Sequence, residues 1–494
     1  MDLLDVKFPQ PDKERLVREL LGILPRESVL YNTEELKPYE CDGLPVYRKV
    51  PLAVVLPASE PQVQSVLRLC RDVRVPVVAR GAGTGLSGGA MPHDQGIVLS
   101  LAKFNRILSI DPLARTARVQ PGVRNLAISQ AAEAYGMYFA PDPSSQIACT
   151  IGGNVAENSG GVHCLKYGLT VHNILAMRAY TIDGDLLEIG GETLDAPGYD
   201  LLALVTGSEG MLCVTTEITV RLLPTPVKAR AILAAFDRIE QAGQAVADVI
   251  AAGIIPGGME IMDKAVTAAV EPYVQAGYPL DAEAILIVES DGTDEEVEEE
   301  IEKINAVLQR AGAAQLRVSH SEQERYKFWS GRKSAFPAIG RITPDYYCID
   351  GTVPRKRLAE VLRGIGEMER KYGLRCANVF HAGDGNLHPL IMFDANKPQE
   401  IERTEAFAAE ILELSVKVGG TITGEHGVGV EKINQMCVQF SAAEIQMFHG
   451  VKRAFDAPGL LNPGKAIPTL RRCAEYGRMH VHEGNLPHAE LPRF

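Results

Sequence analysis

The chain has 494 residues, of which 46% are hydrophobic, as in an ordinary soluble globular protein, and its length predicts two to four domains. The formal net charge of −13 and the lack of a long basic run argue against a general nucleic-acid binder. Nine cysteines occur, none in a C-x-x-C pair, which argues against an iron–sulfur cluster or zinc ribbon within the chain and favours the reduced thiols of a cytosolic protein.

Strands and helices alternate in the first half of the chain, which indicates an α/β layer. The first eight residues lack the basic and apolar segments of a signal peptide, and no run of about 18 apolar residues predicts a membrane span. The predicted elements are a helix over 13–24, strands over 53–56 and 76–79, a helix over 61–73 capped by Ser59, strands over 96–100 and 117–120, and a helix over 123–135.

Pro224-Thr-Pro226 is interpreted as a domain boundary. Beyond it, a capping box at Thr293–Glu296 begins a helix with an acidic, solvated face. The apolar face of this helix is formed by Val297, Ile301, Ile304 and Leu308. The other predicted elements are strands over 231–236, 259–262, 284–288 and 315–318 and helices over 354–372, 398–418 and 441–456. After Pro463-Gly464 the tail over 469–494 is predicted either to be disordered or to dock a partner.

The most informative motif is His381-Ala-Gly-Asp-Gly-Asn-Leu-His388, which is followed downstream by Gly424-Glu-His-Gly427. Asp384-Gly385 is a strong signal for a two-residue hairpin turn, and with that turn at the centre His381 lies directly opposite His388. Opposed side chains lie about 5 Å apart at Cβ, so both imidazoles could bind one metal ion. Glu425 could complete a set of two histidines and one carboxylate with open coordination positions. The alternative is that these histidines are merely polar residues of a turn.

Two segments rich in glycine could cradle a dinucleotide. Arg80–Gly89 directly follows a predicted strand, and successive N–H groups of such a loop form a concavity for pyrophosphate oxygens. The spacing Gly81-x-Gly83-x-Gly85 and the lack of a following helix depart from a nicotinamide Rossmann site, and no G-K-[ST] indicates a Walker loop. A second polar, glycine-dense loop is predicted over 141–145, 150–154 and 158–161. The alternative for these loops is a set of structural turns.

At these residues the chain resembles the FAD-linked oxidases of the vanillyl-alcohol-oxidase type, which have the PCMH fold. The resemblance extends from about Pro51 to Pro468. The histidine motifs and Asn462-Pro-Gly-Lys465 resemble the D-2-hydroxyacid dehydrogenase branch of that family. Phe328–Arg341 and Asp350–Pro354 resemble in particular the FAD-binding subunits of bacterial glycolate oxidases.

The resemblance implies an α+β protein with four parts: a PCMH-type FAD-binding domain over 1–225, an α+β cap domain over 226–419, a C-terminal helical segment over 420–468 that returns to the FAD domain, and a tail over 469–494. Noncovalent FAD is expected, because His93 and His163 lie near the loops but outside the usual attachment pattern. Glu209, Gly210 and Ile218 are expected on the adenine side. The full set of implied cofactor-binding residues is Gly81, Gly83, Thr84, Gly85, Ser87, Gly88, Gly89, Pro141, Ser144, Thr150, Gly152, Gly153, Asn154, Asn158, Ser159, Gly161, Glu209, Gly210, Ile218 and Asn462.

The resemblance also implies the roles of the reacting residues. His381, His388 and Glu425 match the family's ligands for a divalent metal, with zinc as one candidate; the alternative is Glu425 acting alone as an acid or base. His426 matches the family's base. Arg332 would hold the substrate carboxylate by a charge-assisted pair, the alternative being a surface salt bridge. Asn386 would orient the metal or the substrate.

These residues imply an FAD-dependent oxidoreductase that oxidises a small 2-hydroxy acid, glycolate or D-lactate, to the 2-oxo acid. The alternatives are a dehydrogenase for a larger acid such as D-2-hydroxyglutarate, a metal-dependent hydrolase, and a non-catalytic FAD-fold subunit. Because the chain has no iron–sulfur or haem motif, the resemblance implies a second flavin-fold subunit and an iron–sulfur electron-transfer subunit as partners, or else a self-sufficient homodimer. We expect a cytoplasmic protein without a nucleic-acid partner, whose membrane association, if any, is made through partner subunits.

Overall fold

The computed structural model describes residues 8–193, 198–469 and 472–473. Its first layer is a four-stranded sheet in which Ala53–Val55, Ile97–Ser100 and Val77–Arg80 run parallel and Val29–Leu30 adds an antiparallel edge. The helices Lys13–Ile23 and Glu60–Val73 bury their apolar faces in the same core as these strands. The predicted helices and strands before residue 100 are therefore confirmed to within one residue.

An antiparallel five-stranded sheet forms the second layer. Its strands, in order, are Ile107–Asp111, Thr116–Val119, Val214–Arg221, Ile174–Tyr180 and Leu186–Gly190. The helices Asn125–Ala132 and Ile151–Glu157 pack apolar side chains on this sheet. A two-stranded pair, Met137–Tyr138 with Leu223–Pro224, lies beside it. The short helices of this half are Thr33–Leu36, Cys164–Tyr167, Thr170–Asn173 and Leu201–Val205.

The second half of the chain builds one large antiparallel sheet. Its main path, in order, is Gln315–Val318, Lys228–Phe236, Ala284–Gly292, Gly258–Asp263, Arg375–His381, Asn386–Phe393 and Asp345–Cys348. The short strand Gly351–Thr352 also pairs with Asn386–Phe393. Within the described residues, no strand from before residue 225 joins this sheet. The proposed domain division over 1–225, 226–419 and 420–468 stays a prediction.

Amphipathic helices cover this large sheet. The capping box predicted at Thr293 is present and begins the helix Asp294–Arg310, whose predicted apolar positions are buried. This outcome follows from the spacing of those positions, which places them on one helical face. The other helices are Ile239–Ala251, Lys264–Val274, Glu322–Lys333, Ala335–Ile339, Leu358–Tyr372 and Glu400–Lys417.

The C-terminal segment returns to the first sheet. After the helices Met436–Gln439 and Ala442–Phe455, Leu461 forms a parallel bridge with Val77. The Asn462 N–H then donates to the Val77 carbonyl at 2.8 Å. The segment thereby reaches the strand that leads directly into the first glycine loop.

Two expectations about the chain's end have different outcomes. The prediction that all cysteines are reduced is wrong for one pair, because Cys437 and Cys473 form a disulfide after the C-terminal return brings them together. Nearly all of the tail over 469–494 lies outside the described residues.

Among the helices that the structure does describe, none has the length and apolar character needed to cross a membrane.

Candidate active site

The glycine-rich segments and the histidine motifs meet at one cavity of about 400 Å³. Its wall includes His388, Glu425 and His426 together with backbone and side chains of both glycine segments. The implied cofactor residues found in the wall are Gly81, Gly83, Thr84, Gly85, Gly89, Ser144, Thr150, Gly152, Gly153, Asn154, Ser159, Glu209 and Gly210. The cavity therefore joins the two sets of motifs that the sequence analysis treats separately.

The structure includes the other implied cofactor residues, but none of them lines the cavity. Asn462 Nδ2 donates to the carbonyls of Gly89 and Glu209 at 2.9 and 2.7 Å, so this side chain holds the first loop in place. Ile218 is fully buried in the core beside the five-stranded sheet, and its place on the adenine side stays a prediction. The remaining residues of this group are Ser87, Gly88, Pro141, Asn158 and Gly161.

Close backbone packing explains why the cradle is made of glycine. A Cβ on Gly81 would lie 2.3 Å from Thr150 Oγ1, and a Cβ on Gly152 would lie 2.5 Å from Pro121 Cβ. Gly83 has a φ of +71°, which favours glycine independently. The buried Ser87 Oγ has no hydrogen-bond partner among the described residues. A cavity bounded by two closely packed glycine segments with unsatisfied polar groups nearby fits a dinucleotide such as FAD.

The second glycine segment differs from the predicted continuous loop. Thr150 caps the helix Ile151–Glu157, and its hydroxyl accepts from the Gly153 N–H at 3.4 Å. The buried side chains of Ile151 and Val155 anchor this helix in the adjacent core. The prediction of a loop over 150–154 is therefore wrong, because a threonine cap and apolar positions four residues apart outweigh two helix-weakening glycines.

The hairpin that carries the two histidines has a different register from the predicted one. Its strands place His381 opposite Asn386 and Val379 opposite His388, and the turn between them has four residues, 382–385. The prediction that His381 lies directly opposite His388 is therefore wrong. Because the register differs by two residues, side-chain parity is preserved and both rings stay on one face as diagonal neighbours. Their ring centroids lie 4.9 Å apart.

Glu425 brings a carboxylate to both imidazoles. Its Oε1 lies 3.1 Å from His381 Nε2 and 3.2 Å from His388 Nε2, while its Oε2 accepts from the Gly160 N–H at 3.0 Å. Neither ring nitrogen of His388 makes a hydrogen bond within the described residues, in spite of that short distance. The ligand atoms of the three residues lie within 4.8 Å of one another. Buried, closely spaced N, N and O donors of this kind fit a divalent metal ion.

A second set of candidate ligands overlaps the first. Asp350, His388 and His426 also bring their ligand atoms within 4.8 Å of one another. The rings of His388 and His426 are stacked, with centroids 4.9 Å apart. His388 therefore belongs to both sets and stacks on the proposed base.

Asp350 organises the loop that carries Glu425 and His426. Its fully buried carboxylate accepts three successive backbone N–H groups of Gly424–His426 at distances between 2.8 and 3.2 Å. The Thr423 hydroxyl donates to the same carboxylate at 2.6 Å, and Lys432 Nζ lies 3.4 Å from it. A carboxylate that accepts several N–H groups is stabilised in its ionised form. One side chain thus fixes the backbone beneath both functional residues.

Burial and neighbouring charged groups set the protonation states of Glu425, His381 and His426. Burial favours neutral Glu425, but the His381 and His388 imidazoles outweigh it and hold the pKa of Glu425 well below its ordinary value. Burial also opposes a charge on His381, yet the Glu260 and Glu425 carboxylates raise the pKa of His381 well above its ordinary value. Burial lowers the pKa of His426 to about 4, so this imidazole is neutral at pH 7 and can accept a proton.

Glu260 links two residues that the sequence analysis treats as independent. It is fully buried and accepts from Arg332 Nε at 2.5 Å, while its other oxygen lies 2.6 Å from His381 Nδ1. Arg332 is itself buried, so it is not a surface salt bridge. When His381 Nδ1 carries the proton donated to Glu260, Nε2 is left as the metal-facing atom. Asn386 lies opposite His381 in the hairpin, and its buried Oδ1 has no hydrogen-bond partner among the described residues.

Sequence reasoning missed three residues of this site. Glu260 had a signal, namely a lone acid in the otherwise apolar predicted strand over 259–262, since an unpaired buried carboxylate is costly. Asp350 belonged to a motif used only for the resemblance, and its role depends on a loop 75 residues away in sequence. Lys432 had no clear local signal, because its partner Asp350 is 82 residues away in sequence.

Comparison with known proteins places the chain in a family. A model of the FAD binding domain matches residues 51–190, and a model of the C-terminal domain of FAD linked oxidases matches residues 225–466. The glycolate oxidase subunit GlcD of Escherichia coli (strain K12) is 60% identical over 491 residues, which cover 99% of this chain and 98% of that relative. The chain belongs to the FAD-linked oxidase family.

Other members of the FAD-linked oxidase family are also similar. The glycolate oxidase subunit GlcD of Bacillus subtilis (strain 168) is 40% identical, with 86% of this chain and 91% of that relative covered. The D-lactate dehydrogenase of Archaeoglobus fulgidus is 33% identical, with 84% and 91% covered. The solved structure of p-cresol methylhydroxylase with substrate bound matches with a TM-score of 0.78 at 19% identity, covering 93% of this chain and 97% of that one. This structural similarity shows that the chain has the PCMH-type fold. Membership of the family shows that the chain is an FAD-linked oxidoreductase.

Replacing Asp350 with asparagine should weaken metal binding about 10- to 100-fold and leave FAD bound, because outer contacts that orient ligands typically contribute this much. Asparagine keeps one carbonyl oxygen but cannot balance Lys432 or accept all the loop N–H groups. Isothermal titration of the metal-free holoprotein with zinc measures the effect. The exposed Asp281→Asn is the matched control and should bind zinc like wild type. Equal zinc affinity in the Asp350 variant would refute its role.

Proposed function

We propose that this protein is an FAD-dependent dehydrogenase that oxidises a small 2-hydroxy acid, glycolate or D-lactate, to the 2-oxo acid. The observation that carries this proposal is that His388, Glu425 and His426 line the same cavity as the glycine segments. The residues proposed to bind the substrate hydroxyl and the segments proposed to bind FAD therefore line the same cavity. The names of the similar proteins, glycolate oxidase subunit and D-lactate dehydrogenase, support the same substrate class.

The metal ligands would be His381, His388 and Glu425. A divalent ion held there, zinc or another, would polarise the substrate hydroxyl and so make its proton easier to remove. Gly160 and Glu260 hold Glu425 and His381 so that Glu425 Oε1 lies 3.1 Å from His381 Nε2 and 3.2 Å from His388 Nε2. His388 has no competing hydrogen bond within the described residues. This arrangement supports a metal site whose ligands are oriented before the ion binds.

The remaining residues bind the substrate and move its proton. Neutral His426 accepts the hydroxyl proton at a ring nitrogen; its Nδ1 is buried without a hydrogen-bond partner among the described residues. Arg332 attracts the substrate carboxylate while its Nε–H remains on Glu260. Asn386 would orient the substrate or the metal, and its Oδ1 is a buried acceptor without a partner among the described residues. Bound FAD would supply the acceptor for the hydride that leaves the substrate.

We further propose that FAD is noncovalent and that this chain works with partner subunits. His163 Nδ1 lies 2.8 Å from Asp142 Oδ2, and its Nε2 lies 3.4 Å from Glu289 Oε1, so both ring nitrogens have partners. The name "subunit" of the similar glycolate oxidase proteins supports a complex. A second flavin-fold chain and an iron–sulfur chain would carry the electrons away, and association with a membrane would be made through them.

The experiment that tests this function is a panel of 2-hydroxy acids with an artificial electron acceptor and the purified, FAD-loaded protein. Glycolate and D-lactate should reduce the acceptor, because the proposed roles of the metal ligands, His426 and Arg332 require one hydroxyl and one carboxylate on the substrate. D-2-hydroxyglutarate tests the alternative of a larger acid, and L-lactate tests stereochemistry. Preference for D-2-hydroxyglutarate would replace the proposed substrate, and no reduction by any acid would refute the proposal.

Removal of the metal should abolish turnover, and His388→Ala should prevent its recovery. Chelation followed by dialysis should leave an inactive protein that still binds FAD, and added zinc or manganese should restore the rate of wild type but not that of His388→Ala. His320, which is exposed, provides the matched control, since His320→Ala should recover fully. The measurements are metal content by mass spectrometry and initial rate. Full metal content and full rate in His388→Ala would show that the ligand assignment is wrong.

Arg332→Ala should weaken substrate capture and leave FAD bound. A charge-assisted hydrogen bond contributes about 1.5–3 kcal/mol, which corresponds to a loss of roughly ten- to hundredfold in kcat/KM. Steady-state kinetics on glycolate and D-lactate measures this loss. The exposed Arg341→Ala controls for the loss of one positive charge and should behave as wild type. Unchanged kinetics of the Arg332 variant on every accepted acid would contradict its role.

His426→Ala should bind FAD, metal and substrate and yet reduce the flavin about 10²–10⁴-fold more slowly, since this is the usual contribution of a general base. Anaerobic stopped-flow absorbance after mixing with glycolate or D-lactate isolates this step from later electron transfer. A variant that reduces its flavin at the wild-type rate would show that His426 is not the base. Glu425 would then be the next candidate.

A further inference from the structure

Glu157 is a partly buried residue whose carboxyl group the proposed reaction does not use. It is the last residue of the helix Ile151–Glu157, and its side chain forms part of the cavity wall between the two glycine segments. A Cβ on Gly89 would lie 2.7 Å from Glu157 Oε1, so this oxygen lies directly against the first glycine loop. Its Oε2 is buried and has no hydrogen-bond partner within the described residues. A carboxyl group in such a position requires an explanation.

A second carboxylate lies beside it and is already satisfied. Glu209 accepts from the Val428 N–H at 2.7 Å with one oxygen and from the Gly429 N–H at 2.8 Å with the other. A Cβ on Gly427 would lie 2.0 Å from Glu157 Oε2 and 3.1 Å from Glu209 Oε1, so the two carboxyl groups face one point. Like charges so close in a buried site are costly, and one of the two groups keeps its proton. Burial raises the pKa of Glu209 as well, but the two amide donors and the nearby lysines oppose this rise, which favours the proton on Glu157.

The other charged groups around Glu157 do not reverse this assignment. Asp42 adds a further negative charge, while Lys432 and Lys465 provide the opposing positive charges. Lys465 Nζ donates to the carbonyls of Gly89 and Met91 and to Asn462 Oδ1, and Lys432 is engaged with Asp350 and Glu431. Neither lysine forms an ion pair with Glu157 in the described part of the chain. Burial, followed by the Glu209 and Asp42 carboxylates, raises the pKa of Glu157 well above its ordinary value.

Two further considerations favour a neutral Glu157. It ends a helix, where the partial negative charge of the helix dipole disfavours an anion. The pyrophosphate of a bound dinucleotide would bring additional negative charge into the same cavity. We propose that Glu157 is a protonated carboxylic acid in the FAD site and donates a hydrogen bond to the cofactor. This inference goes beyond the proposed reaction and depends only on the binding of FAD.

Infrared spectroscopy of the FAD-loaded protein tests the protonation state. Wild type should show the carbonyl band of a protonated carboxylic acid that Glu157→Gln lacks, and Glu209→Gln should retain that band. Glutamine has nearly the same shape as the neutral acid, so the variant should fold and bind FAD. If Glu157→Gln loses only carboxylate bands, or if the acid band is lost in Glu209→Gln instead, the inference is overturned.

Titration of the apoprotein with FAD, followed by flavin fluorescence, tests the hydrogen bond. At pH 7 Glu157→Gln should bind FAD within about threefold of wild type, and Glu157→Leu should bind roughly two- to twelvefold more weakly, since one hydrogen bond is removed. The exposed Glu302→Leu is the matched control and should bind like wild type. Wild-type affinity in Glu157→Leu, or a gain of more than about tenfold in Glu157→Gln, would overturn the inference.

The affinity for FAD should decrease as the pH rises. Because FAD binds the protonated form, wild-type affinity should fall by at most about tenfold per pH unit once the pH exceeds the pKa of Glu157 in the free protein. Glu157→Gln should not show this fall, and a wild-type affinity that rises with pH relative to the glutamine variant would contradict the inference. None of these readouts uses a 2-hydroxy acid, so a failure of the proposed substrate would leave them intact.

Discussion

The site depends on the buried carboxylate of Asp350, which joins the large sheet to a loop 75 residues further along the chain. Asp350 gathers the N–H groups of Gly424–His426, and Lys432 balances its charge. Burial alone would favour neutral Asp350, yet His426, Lys432 and His388 hold its pKa well below the ordinary value. Without this acceptor the loop amides would be buried and unpaired, which is costly. Since Glu425 and His426 are adjacent in that loop, one interaction sets both the proposed ligand and the proposed base.

A series of hydrogen bonds links the loop held by Asp350 to the cofactor cavity. Gly160, in the FAD-binding half of the chain, donates to Glu425, while the C-terminal Val428 and Gly429 donate to Glu209. Asn462 and Lys465 then support the carbonyl of Gly89 in the first glycine loop. The segment over 424–465 therefore contacts the proposed metal site, the proposed base and the cofactor loops in turn. Its position explains how flavin and hydroxy acid could be held in one cavity.

The sequence predicted well those features that depend on local pattern. Strand and helix positions, the Thr293 cap and the shared face of His381 and His388 follow from periodicities that a few neighbouring residues determine. The errors have a different origin. The hairpin register depended on turn length, the helix at 151–157 on contacts with the core, and the Cys437–Cys473 pair on the C-terminal return. Glu260 and Asp350 escaped notice because their partners are distant in sequence, and family resemblance supplied the proposed roles of His426 and Arg332.

The central claim is that one cavity holds the flavin and a metal-bound hydroxy acid. The most direct test is a crystal structure of the FAD-loaded protein with zinc and a non-reacting 2-hydroxy acid analogue, with the metal located by anomalous scattering. The account predicts one metal peak ligated by His381, His388 and Glu425, with the analogue between that ion, His426 and the flavin ring. A metal bound elsewhere, or an analogue separated from the flavin by protein, would contradict it.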